Sequence, residues 1–227
     1  MGNAHGKEVA DDNTGMTQSE CRLLHDTWHG FCSANHEGGV LIFSAFLTQN
    51  PSLLTLFRRF RVMPLAMLPS DPAFRAHACT VAYQVTSMVD NAGDPVLVEA
   101  LIRKNAVLHT TKAGVYPHHF DILGRVLMEV MVRRDDKKQI TPAAFTAWRK
   151  LLEFMLRITN DVYTEAGIQF VKPGLKPSSL SDTTSEDSMS AFETCLSGMS
   201  NTSEPHPGLV QHEHLLRQSV EQEAING

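Results

Sequence analysis

Between residues 17 and 167, apolar residues recur at three- and four-residue intervals, and almost nowhere do they alternate in the two-residue rhythm of a strand. Thr17 and Glu20 have capping-box spacing and open the first predicted helix, whose inward stripe is Leu23, Leu24, Thr27, Trp28 and Phe31. A second helix runs from about Glu37 through Val40, Phe43, Phe46 and Leu47. Pro51 then starts a short apolar turn holding Leu53, Leu54, Phe57 and Phe60. Asp71-Pro72, Asp94-Pro95 and Thr141-Pro142 share one device. The polar side chain accepts from free N–H groups of the first turn, and the proline ring suits the first helical position. The helices so opened carry Phe74, His77, Val81, Val85 and Met88, then Val98, Leu101, Ile102 and His109, and last Phe145, Trp148, Leu151, Leu152, Met155 and Ile158. A further helix, after Gly114 and Pro117, takes in Phe120, Leu123, Val126, Leu127 and Val130. The pattern predicts an all-α domain over 17–167, with six or seven helices and too little symmetry for an up-and-down bundle.

Two stretches break the rhythm. Residues 1–16 are polar and Gly-rich and read as a flexible arm. Residues 168–227 read as a disordered acidic tail rich in Ser and Thr, with a weak helix pattern returning at Leu209, Leu215, Leu216 and Val220. Ser185-Glu186-Asp187 offers a phosphorylatable context within that tail.

The net charge of −5, with Lys and Arg scattered rather than striped, makes no basic field and argues against nucleic-acid binding. No apolar run reaches the ~20 residues that span a bilayer, and the first thirty residues lack a secretory signal's apolar stretch. A cytoplasmic protein is expected. Cys21, Cys32, Cys79 and Cys195 form no C-x-x-C pair. Cys21 and Cys32 sit roughly 16 Å apart along one predicted helix, too far for a disulfide. Reduced thiols are expected.

His77 and His109 change the picture. Each falls on the apolar stripe of its helix, where an imidazole is costly unless something accepts from it or coordinates it. Taken singly, either reads as a core histidine bonded to a carbonyl. On consecutive helices that fold back on each other, the two can face across a slot suited to a flat apolar cofactor with a metal at its centre.

With these residues the chain resembles the globin family over about 17–167. The resemblance rests on Trp28 late in the first helix, Pro51 six residues before Phe57, Phe74-Arg75-Ala76-His77, His109, Val115-Tyr116-Pro117-His118-His119-Phe120, and Ala147-Trp148. The 32-residue separation of His77 and His109 is similar to that in nerve and invertebrate globins. The resemblance implies a three-over-three helical sandwich around haem b (iron protoporphyrin IX). Matched one by one, His109 becomes the proximal iron ligand and His77 the distal histidine. Phe57 stacks on the haem, Val81 crowds the ligand space, Phe43 closes the pocket, and Val115 and Phe120 complete the haem contacts. Three positions depart from the family pattern: Thr80 and Ala113 stand where propionate partners are usual, and Asn105 replaces a Leu. Lys104, Lys112 and Arg75 are the substitute partners on charge and proximity.

Phe43, His77 and Val81 are similar to the set in six-coordinate nerve globins. The resemblance therefore implies a bis-histidyl iron, with both His109 and His77 as metal ligands. It implies redox or gaseous-ligand signalling, with O2, NO or CO as ligands and a reductase as partner. Five-coordinate O2 storage or transport is the alternative. Superoxide generation, nitrite reduction or NO dioxygenation are the side activities in view.

Met1-Gly2-Asn3-Ala4-His5-Gly6-Lys7 is similar to an N-myristoylation signal, although Gly6 stands where Ser or Thr is usual. An acylated Gly2 implies reversible contact with the inner face of the plasma membrane, since one chain binds only marginally. His25 and His29 have the i, i+4 spacing of a zinc pair, but no third ligand is evident and they read as surface histidines. His118 and His119 read as solvated. Cys79, two residues past His77, reads as an ordinary helix thiol, with redox sensing as the less favoured role.

Overall fold

The computed structural model describes residues 8–168 apart from 36 and 136–139. Six α-helices follow one another: α1 Gln18–Ala34, α2 Gly38–Gln49, α3 Pro72–Asp90, α4 Pro95–Thr110, α5 Pro117–Arg133 and α6 Pro142–Glu165. Two 3₁₀ segments, Pro51–Leu56 and Leu65–Ser70, join α2 to α3. The second of these carries no helical periodicity in the sequence, and its backbone is set by Pro64 and Pro69 rather than by an apolar stripe.

The starts of the helices follow the local chemistry. Thr17 and Glu20 make the reciprocal capping box, Asp71 accepts from Phe74 N, Asp94 from Leu97 N and Thr141 from Ala144 N. The helices pack as two layers of three. One holds α1, α3 and α4, the other α2, α5 and α6, and the layers meet where α2 crosses α3 and where α6 crosses both α1 and α4. This is the all-α globin fold.

Two tryptophans tie the layers together. Trp28 and Trp148 are fully buried with rings 6.0 Å apart, edge to face. Trp148 Nε1 donates to Thr27 Oγ1 (2.9 Å) and Trp28 Nε1 to Thr86 Oγ1 (2.8 Å), so neither indole N–H is left unsatisfied. α1 is thereby pinned to α6 and to α3.

The arm reading of 1–16 is narrowed by the structure. Residues 1–7 lie outside the described residues, but 8–16 fold onto α1 and α6. Asp11 accepts from Asn13 N and Thr14 N, Gly15 turns the chain at φ +65°, and Met16 is buried. Lys150 Nζ then donates to Gly15 O (2.7 Å) and to Glu20 Oε1 (2.6 Å). Burial alone would raise the Glu20 carboxyl, but the bonds from Lys150 and Thr17 outweigh it and hold the carboxyl below its ordinary value. The predicted tail and its terminal helix also fall outside the described residues. Cys21, Cys32 and Cys79 are free thiols, in keeping with the expectation for those three.

α2 approaches α3 tightly at Gly39. A Cβ on Gly39 would stand 2.6 Å from Ala78 O and 2.9 Å from Ala82 Cβ. The first neighbour is backbone and cannot rotate away. Gly39→Ala is therefore expected to destabilise by about 1–3 kcal/mol through overpacking, despite a helix-propensity gain of about 1 kcal/mol. Gly93→Ala, whose Cβ would meet nothing nearer than 3.7 Å, is expected to change stability by no more than about 0.5 kcal/mol. Urea denaturation of both variants checks this, and equal midpoints would contradict it.

Candidate functional site

The α2–α3 crossing sets the first half of the site. Gly39 lets α2 approach, and one turn on, Phe43 is delivered, fully buried, against α3. His77 projects from α3 into a ring of phenyl groups. Its centroid lies 4.8 Å from Phe43, 5.2 Å from Phe57 and 6.4 Å from Phe60. Phe74, one turn before His77 and also buried, closes on Phe43 at 5.5 Å and on Phe60 at 5.5 Å. Phe57 follows the first 3₁₀ segment and stacks on Phe60 at 5.1 Å, an i, i+3 pair in a tight turn. Val81 packs against the same cluster one turn beyond His77.

His77 itself is half-buried rather than core, and neither of its ring nitrogens has a hydrogen-bond partner among the described residues. Burial pushes its pKa below the ordinary histidine value, and repulsion from His109 adds to the effect. The neutral imidazole is thus the favoured form.

His109 lies in the last turn of α4, half-buried. Its Nδ1 is 2.8 Å from the carbonyl oxygen of Asn105. A carbonyl can only accept, so Nδ1 carries a hydrogen, and in the neutral ring the lone pair is on Nε2. Phe120, at the edge of burial on α5, meets the His109 ring edge-on at 5.1 Å. The replacement of Leu by Asn at 105 is therefore of little consequence for orienting the ring, because the backbone carbonyl does that work whatever the side chain.

Of the predicted residues, the structure brings Phe43, Phe57, His77 and Val81 into one cluster and pairs His109 with Phe120. Val115 sits half-buried in the turn after α4. Arg75 is already engaged: it pairs with Glu37 and donates to Pro69 O (3.2 Å). Lys104 and Lys112 are exposed. Phe60 and Phe74 belong to the cage although the sequence reading did not place them in the site. Their spacing to Phe57 and His77 was the available signal.

His118 and His119 are half-buried, not solvated as expected, with rings 3.9 Å apart. His119 Nδ1 accepts from Tyr116 N at the start of α5 (3.1 Å), which only the unprotonated nitrogen can do. Burial, aided by His118, pushes the His119 pKa down to about 4. Cys79 is exposed. Among the described residues no helix is long and apolar enough to cross a membrane.

Comparison with known proteins agrees with this geometry. A family model described as "Globin" matches residues 40–157, more than half of the chain. Cytoglobin-2 of Danio rerio is 29% identical over 154 residues, covering 67% of this chain and 85% of that protein. Myoglobin of Channichthys rhinoceratus is 25% identical over 129 residues, covering 57% of this chain and 84% of that protein. Among solved structures, a hexacoordinated haem protein from an anhydrobiotic tardigrade, crystallised at pH 4, aligns with a TM-score of 0.62 at 14% identity. It covers 68% of this chain and 99% of that one, a likeness of fold.

The depressed pKa of His119 has a pH consequence. Unfolded, the ring takes up its proton as pH falls below the ordinary value of 6.5; folded, only near about 4. Its stabilising contribution is full above 6.5 and is lost as pH falls toward about 4. Histidine NMR titration is expected to show His119 still neutral at pH 6, with stability declining over the same window. Protonation at an ordinary histidine value would contradict the bond to Tyr116.

Proposed function

This chain belongs to the globin family, and from that premise we propose that it binds haem b between His109 and His77 and works in redox or gaseous-ligand signalling. One observation carries the reading: His109 holds its hydrogen on Nδ1 against the Asn105 carbonyl, so the lone pair of Nε2 is the ligand atom it offers. The donor set fits the cofactor. His109 is an imidazole oriented through Nδ1, and His77 is a second imidazole whose neutral form is favoured by burial and whose nitrogens have no hydrogen-bond partner among the described residues. When bound, haem supplies an iron that changes oxidation state and takes O2, NO or CO.

The chain's own residues do the rest. Phe43, Phe57, Phe60 and Val81 give the apolar wall that excludes water on the His77 side. Phe120 borders the His109 side, and Val115, in the turn before α5, is assigned there with it. Lys104 and Lys112 are the exposed cations at hand for the propionates. Phe43 carries no hydroxyl, so nothing at that position donates to a bound ligand. His77 has no hydrogen bond to break before it binds iron itself, which favours the six-coordinate resting state over an open site. A reductase that returns the electron, and a myristoylated Gly2 giving reversible contact with the inner face of the plasma membrane, complete the proposal. Gly2 and the tail, with Ser185, lie outside the described residues.

The absorption spectrum of the full-length, haem-loaded, dithionite-reduced protein under nitrogen tests the reading. Two sharp visible bands are expected in the wild type and one broad band in His77→Leu. His109→Ala is expected to weaken haem binding by more than about 100-fold, beyond what loss of an outer partner of a metal ligand costs. A broad band in the wild type would transfer the reading to a five-coordinate O2 store or carrier. Undiminished haem binding in His109→Ala would remove the ligand assignment.

A further inference from the structure

The middle of α1 and the last turn of α3 hold a second cluster of ligating groups, on the protein's surface, that includes neither His77 nor His109. We propose that His25, His29 and Asp90 form a site for a divalent transition-metal ion of the zinc class. His25 and His29 stand one turn apart on α1, with ring centroids 4.3 Å apart. Asp90, the last residue of α3, brings Oδ1 to 2.7 Å from His29 Nε2. One ligand atom from each of the three residues lies within 4.8 Å of the others.

The donor set selects the ion. Two imidazoles and one carboxylate are the ligands of open zinc sites, where water takes the fourth position. Calcium and magnesium demand oxygen ligands and are poorly served by two ring nitrogens. Zinc bonds of about 2.0–2.2 Å put tetrahedral ligand atoms about 3.3 Å apart. The ion would take the place of the hydrogen His29 shares with Asp90, and the two atoms would part by about half an ångström to reach that edge. Both side chains can move that far, being 41% and 42% exposed, and His25 at 54% leaves the approach open. Asp26 Oδ1, 3.3 Å from His25 Nδ1, is placed to orient that ring as carboxylates do behind metal-bound histidines.

The scaffold beneath the cluster is rigid. Trp28, next to His29 and fully buried, donates to Thr86, one turn before Asp90, through a partly buried bond. The relative placement of α1 and α3 is therefore set before any ion arrives, and little ordering cost falls on binding. A bound ion would clamp α1 to the C-terminal end of the helix that carries His77. The sequence alone supplies only the i, i+4 pair, because the third ligand is 61 residues further along.

Zinc titrated into the full-length protein tests the site, read by calorimetry and by thermal melting, with His25→Gln, His29→Gln and Asp90→Asn alongside. One equivalent is expected to bind and to raise Tm in the wild type. Each substitution is expected to weaken binding by at least about tenfold, the lower end of what even an outer partner of a metal ligand costs, and to suppress the rise in Tm. Circular dichroism of the three surface variants confirms that they fold. Absence of zinc binding in the wild type overturns the site. So does wild-type affinity in all three variants, which would put the ion on other histidines. Loss in the histidine variants with Asp90→Asn unaffected would reduce it to a chelate on α1 alone and overturn it equally.

Discussion

The approach of α2 to α3 at Gly39 is the constraint on which the site depends. With no Cβ at that position, the α2 backbone comes within reach of the Ala78 carbonyl, next to His77. Phe43, one helical turn along α2, is thereby seated 4.8 Å from His77, and the other phenyl groups close around that pair. A side chain at Gly39 would part the two helices that carry Phe43 and His77. Packing geometry is thus translated directly into the environment of one imidazole.

The two histidines of the pocket are prepared by different means. His109 is oriented by a backbone carbonyl that settles which nitrogen keeps its hydrogen. His77 is surrounded by apolar rings, and its neutral form is favoured by burial and by the nearness of His109. One group is held and the other is unencumbered. That asymmetry suits one permanent iron ligand and one that can bind or leave, as a haem that responds to an exogenous ligand requires.

Much of this was legible in the amino-acid sequence because the signals are local. Thr17 with Glu20, Asp71-Pro72, Asp94-Pro95 and Thr141-Pro142 mark helix starts through bonds that span three residues, and all four form. The apolar stripes likewise place Phe43 and Trp148 inward. What escaped depends on contacts distant in sequence. Asp90 reaches His29 across 61 residues, Lys150 reaches Gly15 across 135, and neither pairing leaves a periodic trace. Burial of His118 and His119 was missed for a related reason: they flank a proline helix start, where polarity suggested solvent, and the packing of that corner decided otherwise. Arg75 was read by its charge and proximity, neither of which reveals its pairing with Glu37.

The most direct measurement is a crystal structure of the haem-loaded full-length protein in the oxidised state. The account predicts iron bonded to Nε2 of His109, with Nδ1 still donating to the Asn105 carbonyl, and His77 as the second axial ligand within the Phe43, Phe57 and Phe60 cage. Iron bound through another residue, or through Nδ1 of His109, would contradict it.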